Sequence, residues 1–530
     1  MSQPARSRAR RTLPAAVVMV SLLATSCSAG SGHNASSPAS HRATGVNSSY
    51  PAGSPVGPAG PPPNTLAGYY AQKLRWRPCD HGFQCARLLV PFDYQRPAWR
   101  RFSLPVIRLP ATDSRARIGS LVVNPGGPGG SGVQYAQAAR TQISSAVRAR
   151  FDVVGFDPRG VAGSIPAVTC LSGPQLDKYF ETSDIPLTKA QQATVVAQSK
   201  LFARGCEQRS GALLPYVGTA NAARDMDVLR AALGDAKLTY LGKSYGTFLG
   251  TWYAQLFPSH VRALVLDGAV DPSESALNMN LIQAQGFQVA LAAFIGNCLR
   301  LSACPLGHGG TVAAATARLQ ALLNRAARQP LTSQISGQPG VAPLLLNGIA
   351  ASLYSKSYWP YLREGLSAAM AGNGSILVEL GDLLVERNQH GQYSNLTEAE
   401  AAVNCIDRTW PRSLSTWRSA AASAAKAAPM FGAALMWGSL QCAYWPVRPS
   451  APVPLRGKGA PPILVVGTTR DPATPFRWAK ALAHDLSSGV LLGWNGDGHT
   501  AYMVSSSCVN STVDKYLINL AVPRNGTICP

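Results

Sequence analysis

Three short motifs set a hydroxyl, a carboxylate and an imidazole where they could act together on a carbonyl. Gly242-Lys243-Ser244-Tyr245-Gly246 has the pattern G-x-S-x-G. It follows a short apolar run ending at Leu241 and precedes a helix-like stretch from Tyr245 to about Phe257. In that strand–turn–helix setting the small flanking residues permit a sharp turn that exposes the Ser244 hydroxyl. The helix N-terminus beneath it favours negative charge developing nearby. Asp471 lies in Thr468-Thr469-Arg470-Asp471-Pro472, just past the strand-like run Pro462 to Gly467. His499 lies in Gly496-Asp497-Gly498-His499-Thr500, after the run Val490 to Trp494. The chemistry these types support is acyl transfer. An imidazole takes the serine proton as the hydroxyl attacks, and a carboxylate fixes and stabilises the imidazole. Asp497 is the rival acid, but two residues from His499 it is expected to shape the turn.

Such chemistry needs donors for the oxyanion of the tetrahedral intermediate. The Tyr245 N–H, just after the serine, is the first expected donor. The glycine-rich segment Asn124 to Gly132, NPGGPGGSG, supplies the second, with Gly127 preferred and Gly126 next. A phosphate-binding loop is the competing reading of these glycines. The G-K-[ST] ending of such a loop is missing. Asp157-Pro158-Arg159-Gly160 reads as a fold element, Asp225 and Asp227 as structural, and Lys243 as a packing or exposed lysine.

The elements that must hold these residues read as an α/β fold. Apolar runs at 87–91, 102–108, 119–124, 151–157, 239–242, 261–267 and 462–467 are separated by helical stretches. This predicts a parallel sheet with helices on both faces. The chain order Ser, Asp, His is that of an α/β-hydrolase core. Residues 273–455, rich in Ala, Leu, Gln and Arg, are expected to form a mostly helical cap insertion. The core then comprises 67–272 and 456–530.

The set NPGGPGGSG, GFDPRG, GKSYGT, VLDGAVDP, TRDPATP and GDGHT resembles the secreted tripeptidyl aminopeptidases of actinobacteria, relatives of proline iminopeptidase. The resemblance runs from about residue 70 to the C-terminus. It implies a serine exopeptidase that releases short peptides, tripeptides in that family, from free N-termini, with Ser244, Asp471 and His499 in the triad roles. It also implies that the cap recognises the substrate ammonium through a carboxylate. Asp407, in Asn404-Cys405-Ile406-Asp407, is the expected partner, and Glu274 the second. An esterase or lipase of the same fold, and a non-catalytic peptide-binding envelope lipoprotein, are the alternatives.

The chain start sets the expected location. MSQPARSRARR is a basic segment, and Leu13 to Ala24 is apolar but shorter than a membrane span. Small residues then precede Cys27. Residues 1–27 therefore read as a lipoprotein-type signal peptide with Cys27 as the lipidated residue, although Ala24 stands where a lipobox has Leu. Arg10-Arg11 hints at twin-arginine export. Residues 28–66 are rich in Ser, Gly and Pro and read as a flexible linker. The expected place is the cell envelope, lipid-anchored to the outer face of the cytoplasmic membrane or shed from it.

Of eleven cysteines, ten remain once Cys27 is set aside. Paired as sequential neighbours they give Cys79–Cys85, Cys170–Cys206, Cys298–Cys304, Cys405–Cys442 and Cys508–Cys529. Spacing alone leaves other connectivities open, but an even set fits an oxidising compartment. No cysteine or histidine spacing suits a zinc site, and neither metal nor cofactor is expected. The net charge is +22; outside the N-terminal segment the basic residues are scattered, without a Lys/Arg-rich run or a nucleic-acid motif. The partners expected are peptides with free N-termini and a membrane reached through the anchor, not nucleic acid.

Overall fold

The structure is a computed structural model that describes residues 63–530 apart from 183, 184, 187 and 336. The expected signal segment, Cys27 and nearly all of the linker lie outside the described residues.

Ten strands form one sheet: β1 (Arg77–Pro78), β2 (Gln84–Pro91), β3 (Arg101–Leu109), β4 (Gly119–Asn124), β5 (Phe151–Phe156), β6 (Leu238–Lys243), β7 (Val261–Asp267), β8 (Ile463–Arg470), β9 (Gly489–Asp497) and β10 (Thr527–Cys529). Their order is β1-β2-β3-β5-β4-β6-β7-β8-β9-β10. From β5 to β10 every pairing is parallel. The β1–β2, β2–β3 and β3–β5 pairings are antiparallel, which the expected all-parallel sheet did not include. The reason is the connection: residues 92–100 join β2 to β3 without a helical crossover, and a parallel pair needs one.

Alternate strand residues enter different layers, as a pleated strand buried on both faces requires. Val122, Val154, Tyr240 and Leu264 pack with Met226, Leu229, Leu249 and Tyr253 of the helices Thr219–Leu233 and Tyr245–Leu256. Their neighbours Leu121, Val153, Leu241 and Val265 pack on the opposite face with Val133, Val147 and Tyr516.

Among the described residues, eight α-helices, from Ala276–Cys298 to Gly432–Trp437, occupy the chain between β7 and β8. They bury a core of their own that includes Phe287, Leu291, Leu319, Leu345 and Leu362. A second excursion was not separated in the sequence reading. Helices Gly173–Glu181 and Lys189–Ser210 leave the core between β5 and Thr219–Leu233, and the latter packs on the 3₁₀ helix Leu440–Tyr444. The roof over the sheet is thus built from two separate stretches of chain. Cys170–Cys206 closes the base of the shorter one, and Cys405–Cys442 ties the helix Leu396–Asp407 to the 3₁₀ helix. The remaining bridges are Cys79–Cys85, Cys298–Cys304 and Cys508–Cys529.

One buried ion pair fixes the strand edge nearest the site. The Arg159 side chain is fully buried against Asp225, donating from Nε to Oδ2 at 2.7 Å and from Nη2 to Oδ1 at 2.5 Å. Its other N–H groups go to the carbonyls of Pro91, Phe92 and Tyr216. Tyr94 donates to Asp225 as well. All five guanidinium donors are satisfied, which a buried arginine needs. Replacing Asp225 with Ala strands that charge. The expected loss is about 3–5 kcal/mol of stability, read by urea denaturation; a midpoint equal to that of wild type would show that the pair does not bear on the fold.

Candidate active site

The parallel strands end along one edge, and the residues singled out in the sequence gather there. Ser244 follows β6 at φ 56° and ψ −126°, a backbone conformation that is strained for a side-chain-bearing residue. The turn is tolerated because its flanks are bare. A Cβ at Gly242 would lie 2.3 Å from the Gly246 carbonyl oxygen, and one at Gly246 would lie 2.9 Å from Asn124 Oδ1. The Ser244 N–H donates to the Asp267 carbonyl at 2.9 Å, and Thr247 Oγ1 donates to the Ser244 carbonyl at 2.6 Å.

Asp471 sits past β8 and is 1% exposed. Its two oxygens lie 2.9 and 3.0 Å from His499 Nδ1. The carboxylate also accepts N–H bonds from Ala473, Thr474 and Thr500. Four donors on one carboxylate hold both the acid and the imidazole in register. Asp497 turns elsewhere, accepting from Arg470 Nε at 2.5 Å. The histidine loop is pinned from below: Ala501 and Tyr502 donate their N–H groups to the Asp267 carboxylate. Burial raises the Asp267 carboxyl, opposed by the Lys243 ammonium and these N–H bonds. Lys243 is buried and donates to the Tyr502 carbonyl at 3.0 Å. From above, the His499 N–H donates to the Tyr354 carbonyl of the cap at 2.8 Å, and the Tyr354 ring stands edge-on to the imidazole at 5.2 Å.

The glycine loop lies beside the serine. Asp157 anchors it, accepting from Ser131 Oγ at 2.5 Å and from the Val133 N–H. The Gly126 N–H donates to Asn124 Oδ1 at 3.0 Å, so it is not open to a ligand, contrary to its place among the expected oxyanion donors. Gly126 instead lets the loop approach the turn, since a Cβ there would lie 2.8 Å from Ser244 Cβ and 3.0 Å from the Tyr245 nitrogen. The Gly127 N–H has no acceptor among the described residues. Tyr245 opens its helix, so its N–H has no intrahelical acceptor either.

These groups border one cavity of about 530 Å³, within the range of small-ligand sites. Ser244, Tyr245, Gly127, His499 and Tyr354 line it together with cap residues.

The comparisons with known proteins agree with this architecture. Residues 119–339 match the family model for the alpha/beta hydrolase fold, and residues 428–529 match that for TAP-like protein. A serine protease Hip1 of Mycobacterium tuberculosis is 37% identical over 478 residues, covering 86% of this chain and 91% of that protein. A carboxylesterase B of the same species is 36% identical, covering 84% of this chain and 86% of that one. A tripeptidyl aminopeptidase of Streptomyces coelicolor is 34% identical, covering 84% and 83%. The chain belongs to the TAP-like α/β-hydrolases. It is a serine hydrolase.

In this TAP-like hydrolase the two carboxylates expected to meet a substrate amine are placed elsewhere. Asp407 is engaged by Thr219, whose N–H and hydroxyl both donate to it, and it is not among the cavity-lining residues. Thr219 Oγ1 lies 2.6 Å from the Tyr245 hydroxyl, so Asp407 is linked through Thr219 to the residue after the serine. Burial pushes the Asp407 carboxyl up to about 6, against the opposing pull of Thr219 and Arg408. Glu274 is half-buried, bonded to Asn278 and outside the cavity. The carboxylates that do line the cavity are Glu386, which accepts from Ser394, and Glu400, which has no partner among the described residues. Burial alone lifts Glu400 to about 7. Neither glutamate belongs to a motif. Their one sequence signal is helical spacing: Glu400, Asn404 and Arg408 recur every four residues along one face.

The Thr219 link makes a test. Thr219→Val keeps the shape and removes the hydroxyl between Asp407 and Tyr245. The loss of a buried hydrogen bond to a charged group is about 1.5–3 kcal/mol. Labelling of Ser244 by a fluorophosphonate is expected to slow about tenfold or more. Unchanged labelling would mean that the cap carboxylate does not position the serine turn.

Proposed function

We propose that this hydrolase removes short peptides, tripeptides by preference, from free N-termini through an acyl-enzyme. Ser244 attacks the carbonyl while His499 takes its proton. Asp471 holds the imidazole tautomer and stabilises the imidazolium. The Tyr245 and Gly127 N–H groups receive the oxyanion. His499 then protonates the leaving amine, and water resolves the ester.

The observation that carries the peptide reading is Glu400: a carboxylate without a partner among the described residues, lining the cavity that also holds the serine. A carboxylate partly withdrawn from water without a partner is costly, and an incoming ammonium relieves that cost. Glu400 thus takes the role first expected of Asp407. The relatives named serine protease and tripeptidyl aminopeptidase support this reading. The apolar lining, with Phe248, Phe287, Leu346 and Phe431, favours the ester-hydrolase alternative, as does the relative named carboxylesterase B. We place the enzyme outside the cytoplasm, lipid-anchored through Cys27; the five disulfides support an oxidising compartment.

Two measurements test the assignment. Ser244→Ala is expected to lower kcat about 10⁴-fold or more on a free tripeptide anilide; residual activity within tenfold of wild type would remove Ser244 as nucleophile. For Glu400 the useful quantity is kcat/KM on that anilide divided by kcat/KM on an uncharged ester, which cancels the titration of the base. Lowering pH through about 7 protonates Glu400 and removes the anion that holds the ammonium. The ratio should therefore fall in acid, and Glu400→Gln should abolish that fall while raising KM about tenfold. An identical pH profile in the mutant would refute the amine site. Good ester turnover with no peptide release would move the substrate class to esters.

A further inference from the structure

The helix Leu396–Asp407 presents one face to the cavity, through Thr397, Glu400, Ala401 and Asn404, and Arg408 extends that face just beyond the helix end. The Arg408 guanidinium lies over the Phe248 ring at 4.8 Å, and both residues line the cavity. Among the described residues it has no hydrogen-bond acceptor and no ion-pair partner. Two carboxylates are close enough to feel its charge, Asp407 and Asp271. Each is engaged elsewhere: Asp407 by Thr219, and Asp271 by the Ser273 N–H at 2.9 Å and hydroxyl at 2.7 Å. Burial lowers the Arg408 pKa, yet a guanidinium stays protonated in proteins. The result is a cation withdrawn from bulk water, with its donors unfilled and the cavity in front of them. Guanidinium geometry suits a carboxylate, which can accept two parallel N–H bonds.

Glu400 does not neutralise it. Eight residues at about 1.5 Å each put the two backbones about 12 Å apart along the helix axis, and among the described residues no ion pair joins the two side chains. One cavity therefore holds an unpaired anion and an unpaired cation on the same face of one helix. That backbone separation corresponds to between about three and four residues of extended chain, at about 3.3 Å each. A short peptide with a free ammonium at one end and an acidic group a few residues along would satisfy both charges at once.

We propose that Arg408 forms an anion-binding subsite, and that the enzyme prefers peptides carrying an acidic side chain within their first three residues. This rests on the aminopeptidase reading for the register of the peptide, but not for the existence of the anion site.

The test compares tripeptide anilides with Glu or Gln at each position in turn, in wild type and in Arg408→Gln. Active enzyme is counted by fluorophosphonate titration. The quantity read is the Glu/Gln ratio of kcat/KM within each enzyme, so loss of active protein cancels. In wild type the ratio is expected to reach about tenfold at one position or more, and in the mutant to fall to about one. Arg408→Lys should keep part of the preference. A ratio near one at every position in wild type overturns the proposal, without need of a folded mutant. So does a preference that survives in Arg408→Gln. So does an equal loss on Glu and Gln peptides, which would make Arg408 a ligand for peptide carbonyls. If no peptide is cut, the peptide reading fails by itself, and the anion site is judged on esters. Preference for the 4-nitrophenyl monoester of glutaric acid over 4-nitrophenyl valerate, lost in Arg408→Gln, upholds it. Equal rates on the two esters reject it.

Discussion

Asp267 is the residue through which the site is held together. It ends β7, and its carbonyl takes the Ser244 N–H while its carboxylate takes the N–H groups of Ala501 and Tyr502. One residue thereby sets the strained serine turn and the loop after β9 at a fixed separation. Its charge is buried, so it must be satisfied where it stands. Lys243 lies near it and ties the neighbouring position to Tyr502. The sheet makes this possible: β6, β7, β8 and β9 are parallel and adjacent, so the loops after β6, β8 and β9 open at the same edge.

The cap is joined to this frame rather than resting on it. Tyr354 receives the His499 N–H, and Asp407 reaches the serine turn through Thr219 and Tyr245. Glu398, in the first turn of the helix Leu396–Asp407, accepts the N–H groups of Cys170 and Leu171 and so joins the two roof segments. These links are polar and buried, and each fixes a side chain by geometry that apolar packing alone would leave adjustable.

The core and its three motif residues were legible because each rests on local signals: an apolar run, then a turn residue, then the reactive side chain. The same holds for Gly127. The preference for Gly127 over Gly126 became decidable only when the Asn124 side chain was seen to take the Gly126 N–H. The cap residues were not legible in this way, since Tyr354 meets His499, and Glu400 faces the cavity of Ser244, across more than a hundred residues of chain. Asp407 illustrates the gap. One step along a helix is a rotation of about 100°, so Asp407 turns to Thr219 while Arg408, the next residue, faces the cavity. The sequence drew attention to this helix; which of its sides borders the cavity required the fold. The excursion at 173–210 escaped notice for a related reason. Its helices read like the crossovers around them, and nothing local tells a helix laid on the sheet from one raised above its edge.

The bond from His499 to Tyr354 also bears on how molecules reach the serine. A roof that swung away as a hinged door would pull on the very loop that carries the imidazole. While that bond holds, the roof above the serine stays in register with the imidazole, so the base is in place only when the cap residues that border the cavity are in place too.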